Sequence, residues 1–591
     1  MKNLLVLTIL ASLIACTPAE DQNAEALPPI DQLLDQFYLE TLELNPLWAN
    51  FNGVLENLDT IPNNLTDDYM TKSKSHHQYY LEELRKYDRS TLSEDEQLNY
   101  DILEWHCETT LEQDDMAATM LPINQFMSPN IIISMQASGT GFQPFKTTED
   151  YNNWLSRLED YTQWLDQALV NMQKGTELGY RQPKAITEKI IPQWESLLNA
   201  PLEQNLYFMP IVNMPPEISS EDSSMLAAEY SSMINNELNP RYEKLLDFFK
   251  NDYLASPRQT AGISSLPNGK SVYESMLKFS TTTDLSPDSV FELGMSEVSR
   301  IREEMMKVKD EVNFDGDLNA FFDHVRTNPD LKPFSEPQEV IDNFHAIHEK
   351  MMPQLEKLFA IKPKTPFEVM RTEAFRERSA QAQYMPGSPD GSRPGTFYIP
   401  IPDIENYNTY TDEVLFLHEA IPGHHYQIML ELENKNVKDF RKFVFPGAYI
   451  EGWGLYTEAL GKELGLLEDP YQYFGMLSME MHRAIRLVVD VGMHYKGWTR
   501  EEAIQFSLEN EPESEAAVIS EIERYMVWPA QATSYKVGQL TILALRERAE
   551  EALGDSFDIR EFHTAVLEDG AVPLALLEEK IDRWISEKKA S

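Results

Sequence analysis

Apolar residues recur at three- and four-residue intervals through most of the chain, the signature of amphipathic helices. Within 151–178, Trp154, Leu155, Leu158, Tyr161, Trp164, Leu165, Leu169 and Met172 share one face, with Glu159, Asp160, Asp166 and Gln173 between them. The same period predicts helices over 225–250, 286–310, 337–360, 474–497 and 535–553. Strand-like segments are scarce. The best candidate, 396–401, follows the breaker-rich stretch 386–395, and its internal Pro400 predicts an edge strand. Proline-rich turns at 183–216 and 253–268 are candidate lobe boundaries. The expected fold is mainly α, large and two-lobed, with a small β-sheet, an N-terminal lobe over 29–285 and a C-terminal lobe over 286–591.

The first residues break this pattern. Met1, Lys2 and Asn3 precede an apolar run of 11 residues, Leu4 to Ile14, too short for the roughly 20 residues that cross a bilayer as a helix. Leu13-Ile14-Ala15-Cys16 resembles the lipobox of bacterial lipoproteins. That resemblance implies a signal peptide over 1–15, lipidation of Cys16 and a polar tether over 16–28. The mature protein would be exported and held by its lipid in the cell envelope, at the outer membrane facing the periplasm. Cys107 would then be the one remaining cysteine, so no disulfide could form within the chain.

Charge narrows the partners. The 591 residues include 97 acidic and 50 basic ones, a net charge of −47, and removal of residues 1–15 makes it −48. Such a surface repels phosphate backbones, which excludes nucleic acid as a partner. It leaves the oligomeric state open.

Candidate chemistry is concentrated between 410 and 540. Three of the twelve histidines fall in His418-Glu419-Ala420-Ile421-Pro422-Gly423-His424-His425. In the zinc motif H-E-x-x-H, two histidines four apart chelate the ion and the glutamate acts as base. Here the fourth position after His418 is Pro422. On a straight helix His418 and His424 would stand about 9 Å apart along the axis. Pro422 and Gly423 predict a kink that returns a histidine to the metal. His424 is the first choice for that ligand and His425 the alternative, the other being free to contact substrate. A third ligand is expected from Glu451-Gly452-Trp453-Gly454-Leu455-Tyr456-Thr457-Glu458, where two acids seven apart share a face of an apolar stretch. Glu451 is the candidate ligand and Glu458 the partner that orients a histidine.

The segments HEAIPGHHYQ and EGWGLYTE, with GSRPGTFY before them and ERYMVWPAQATSYKVGQ after them, resemble the bacterial domain-of-unknown-function family 885 over roughly 30–585. The resemblance implies a mainly helical, zincin-like metallopeptidase fold. It also implies one Zn²⁺ on His418, His424 or His425, and Glu451, with Glu419 as base.

Downstream, His482, Arg486, Asp490 and His494 recur every four residues along an otherwise apolar helix. Arg486 and Asp490 suit either a substrate terminus or a buried ion network. Tyr535 and His494 are candidate donors to an oxyanion. These parts give a zinc hydrolase that cleaves short peptides, with an extended substrate pairing along 396–401. The alternatives are a zinc hydrolase of another amide or ester, and a non-catalytic tethered binding protein.

Overall fold

The structure, a computed structural model, describes residues 27–590 apart from 52–53, 114–115, 139–140, 374–376 and 378–379. The expected signal peptide, Cys16 and most of the expected tether lie outside the described residues.

Helices dominate, and their starts follow from local chemistry. Helix α1 (Thr148–Leu178) opens on a reciprocal cap in which the Thr147 side chain accepts from the Asp150 N–H while Asp150 accepts from Thr147 N–H, and it closes at Gly179 with φ 90°. Helices α2 (Pro287–Glu311) and α3 (Pro337–Leu358) each begin with proline in the first turn, where the missing N–H costs nothing. The chain then forms three short strands, β1 (Phe367–Arg371), β2 (Gln383–Met385) and β3 (Gly395–Ile399).

Six helices follow that build or support the candidate site: α4 (Asp412–Glu419), α5 (His424–Glu433), α6 (Gly447–Ala459), α7 (Pro470–Val491), α8 (Glu515–Val527) and α9 (Ser534–Leu553). Among the described residues no helix is long and apolar enough to cross a membrane.

The sheet order is β1-β3-β2, with β3 parallel to β1 and antiparallel to β2. The expected edge strand is therefore the central one. It ends at Ile399, so Pro400 falls just past the ladder and removes no hydrogen bond from it. Both edges meet the histidine motif, β1 through Phe367 against His425 and β2 through Tyr384.

One continuous cluster of buried side chains runs from Ile30 to Ile585, crossing the 285/286 division. Cys107 lies wholly inside it, and burial pushes its thiol up to about 12. Helices α6 and α9 make the closest helix contact of the site region: a Cβ on Gly452 would lie 2.5 Å from the Gly538 backbone. Two facing glycines thus let the backbones touch, and this seats Glu451 against α9.

A candidate metal centre on a broken helix

Helix α4 stops at Glu419. Ala420 (φ −105°, ψ −106°) leaves helical geometry, the Ile421–Pro422 peptide is cis, and α5 restarts at His424. The break is tied down from α6, where the Trp453 indole N–H donates to the Pro422 carbonyl at 2.9 Å and the Thr457 hydroxyl to the Leu417 carbonyl at 2.8 Å. A Cβ on Gly423 would sit 1.9 Å from the His418 carbonyl oxygen, so the return path admits only glycine.

The break brings the rings of His418 and His424 to 4.8 Å between centroids, nearly perpendicular at 84°. Glu451 completes the cluster: its Oε2 lies 3.6 Å from His418 Nε2 and 3.7 Å from His424 Nε2. One ligand atom from each of the three lies within 4.8 Å of the others. Three atoms each about 2.0–2.1 Å from a tetrahedral ion stand about 3.3 Å apart. The donor set therefore fits zinc, and the three atoms stand somewhat wider apart than a bound ion would hold them. His418 is buried, while His424 and Glu451 are about 12% and 20% exposed, which leaves one side of the cluster open.

Glu458 lies one step behind. Its Oε1 is 2.7 Å from His418 Nδ1, which leaves Nε2 facing the cluster. Gly454 makes room for that ring, because a Cβ there would lie 2.7 Å from His418 Cε1.

Glu419 turns its carboxylate toward the sheet and accepts from the backbone N–H of Tyr384 on β2 at 3.0 Å. Burial lifts its pKa to about 7, with His418 opposing and Glu451 reinforcing the rise. Burial presses His418 down, but the carboxylates of Glu451 and Glu458 outweigh it and raise it to about 9. His424 falls to about 4 through burial and the nearby charge of His418. Burial would raise Glu451, yet the two histidines and the Tyr535 hydroxyl hold it at about 2.

The remaining sequence candidates divide. His425 stays out of the cluster, its Nδ1 2.8 Å from the Tyr384 hydroxyl and its ring against Phe367. Tyr535 faces Glu451, and burial raises its own pKa. The Arg486 guanidinium stacks over the Tyr535 ring at 4.5 Å and donates to the Tyr525 hydroxyl and to Glu521.

Asp490 and His494 are elsewhere. Asp490 accepts from the Tyr273 hydroxyl at 2.6 Å and from Ala530 N–H at 3.0 Å. His494 is buried and has both ring nitrogens occupied, Nδ1 by Ile263 N–H and Nε2 by the Tyr525 carbonyl. The oxyanion-donor expectation for His494 is corrected on that ground: no ring nitrogen is left to donate.

Three residues at the site were not anticipated. Trp453 lies inside a segment read only for its acids. Tyr384 contributes a backbone N–H, which no side-chain pattern encodes. Arg483, adjacent to the anticipated His482 on α7, projects its charge onto Glu419 and His424.

Solved structures share this fold, two of them as follows. One, described as "the putative lipoprotein from Colwellia psychrerythraea", is 25% identical with a TM-score of 0.86, covering 94% of this chain and 99% of that one. The other, "a putative lipoprotein of unknown function from Shewanella oneidensis", is 18% identical with a TM-score of 0.72 at the same coverage. No curated protein matches the chain. The family model described as "Bacterial protein of unknown function (DUF885)" matches residues 46–581, which span the whole site: the chain belongs to the bacterial DUF885 family.

Proposed function

We propose that this protein is a zinc-dependent hydrolase, and specifically a peptidase of short peptides on a two-lobed, zincin-like fold. The convergence of His418, His424 and Glu451 beside the carboxylate of Glu419 is the observation that supports this reading. Three protein ligands with an open side are the pattern of a catalytic zinc site, whereas structural sites are closed and often built with cysteine. Zinc held there would supply Lewis acidity, acidifying water and polarising the scissile carbonyl.

The chain's own groups do the rest. Glu419, poised near neutrality, accepts the proton of the attacking water and delivers it to the leaving nitrogen. Tyr535 steadies Glu451 through its hydroxyl, and it would have to release that bond to donate to a developing oxyanion. The outer edge of β2 beside Glu419 suits an extended peptide. A cavity of about 590 Å³ reaches Glu451, walled in part by Leu65, Tyr69, Met70, Met127, Phe445 and Trp528, which suits apolar substrate groups.

A lipid on Cys16, anchoring the body at the outer membrane toward the periplasm, belongs to the same proposal; the description of the Colwellia relative as a lipoprotein supports the anchor.

The test is metal analysis of the purified protein together with digestion of a peptide library by wild type and Glu419→Gln. The expected result is one zinc per chain in both and turnover only in wild type. Peptide cleavage retained by Glu419→Gln overturns the assignment.

A further inference from the structure

Arg483 and Arg486 lie three residues apart on α7, and so on one side of it. Helix α7 packs against α4, which ends in His418 and Glu419. Arg483 is only 8% exposed, yet no carboxylate among the described residues pairs with it. Its Nη1 reaches the Met479 carbonyl at 3.4 Å and the Met479 sulfur at 3.3 Å, and its buried Nε has no hydrogen-bond partner. A guanidinium stripped of water and touched directly by no carboxylate, with Glu419 and Glu513 acting on it only from a distance, is costly. In a chain of net charge −47, an acid to serve it would be easy to place.

Arg486 offers a second such edge. Its Nε donates to the Tyr525 hydroxyl at 2.9 Å and its Nη2 to Glu521 at 3.2 Å, while its buried Nη1 has no partner. Glu521 is also shared with Arg524, so one carboxylate serves two guanidiniums. Both arginines reach toward the candidate metal centre from α7. The charge of Arg483 is felt at Glu419 and His424, whereas Arg486 lies on the Tyr535 ring that faces Glu451. Buried donors without acceptors, beside a site built to receive a substrate, call for an anion brought by that substrate. The planar fork of arginine matches a carboxylate in particular.

We propose that Arg483 and the free edge of Arg486 form a subsite for the terminal α-carboxylate of a bound peptide, so that hydrolysis is directed to bonds near the C-terminus. This rests on the peptidase reading above, and it turns an unspecified peptide substrate into one defined by its free end.

The test measures binding by calorimetry to zinc-loaded Glu419→Gln protein, which holds substrate without consuming it. The probes are N-acetyl-trialanine as the free acid, the same peptide as the carboxamide, and N-acetyl-Ala-Ala-Glu carboxamide. The free acid should bind at least tenfold more tightly than either amide. In the double variant with Arg483→Met that ratio should fall to within twofold, and Arg483→Lys should restore part of it. Equal binding of acid and amide overturns the proposal, as does full rescue by the glutamyl side chain. If Arg483→Met fails to fold, as judged by melting and zinc content, the acid–amide comparison in Glu419→Gln alone decides. If wild type cleaves none of the peptides while Glu419→Gln still prefers the acid, the peptidase reading falls and the subsite stands.

Discussion

His418 Nδ1 and Glu458 Oε1 are 2.7 Å apart across two helices, with Glu458 1% exposed and its second oxygen without a hydrogen-bond partner. The contact fixes which imidazole nitrogen faces Glu451 and makes that nitrogen more basic. Replacing Glu458 with glutamine keeps the shape but removes the charge. Zinc affinity should fall by about 10- to 100-fold, while the circular dichroism spectrum stays unchanged. Competition with a chromophoric chelator measures it, and an unaltered affinity would mean that the pair serves only packing.

Zinc binding should release a proton. His418 titrates at about 9 in the metal-free protein, so it is charged below that value and must lose its proton to become a ligand. His424, at about 4, is already neutral. At pH 8, where Glu419 is mostly ionised, about one proton should leave per zinc bound, and affinity should climb about tenfold per pH unit until it levels off near pH 9. Calorimetry in buffers of different ionisation enthalpy counts the protons; release of none would contradict the charge state assigned to His418.

Gly454→Ala tests the room left for His418. The added methyl would stand 2.7 Å from Cε1, so the ring must move away from Glu451. We expect zinc occupancy to drop at least tenfold and the melting temperature to fall by a few degrees, consistent with overpacking that costs about 1–3 kcal/mol. Full occupancy at wild-type affinity would show that the ring has another place to go.

Asp490 gives a pH-dependent stability prediction. Burial raises its folded pKa to about 7, opposed by hydrogen bonds from Tyr273 and Ala530. A carboxyl raised above its unfolded value of about 3.9 favours folding below that value and loses that advantage as pH rises toward 7. Asp490→Asn should therefore stabilise the protein at pH 8, by up to about 4 kcal/mol, and have little effect at pH 4. Thermal melts at the two pH values separate this from a change that is the same at both.

Cys16→Ser tests the anchor. Wild type should sediment with membranes, and the variant should move to the soluble fraction of the same cells without loss of peptidase activity. Wild-type protein found in the soluble fraction would remove the lipid from the account.

The helices were legible because one face of each must be buried, and burial imposes the 3.6-residue period whatever the tertiary partner. Glu451 and Glu458 were legible for a related reason: two carboxylates on an apolar helix need partners. What stayed hidden depends on residues far away in the chain. The choice between His424 and His425 turns on the path through Pro422, which Trp453 fixes from 31 residues away. The place of β3 at the centre of the sheet is set by pairing with Phe367–Arg371 and Gln383–Met385, which its own sequence does not encode. His494 fits a polar ladder on paper, but its ring is claimed by Ile263, 231 positions earlier.

The interruption between α4 and α5 means that His418 and His424 ride on two separate rods, held in register only by the surrounding tertiary structure. A regular helix with histidines four apart can grip an ion as an isolated peptide; this arrangement has no such local chelate to offer. Any metal capture at this site would thereby be a property of the finished fold, so a nascent or partly unfolded chain would present no preformed claw to stray ions.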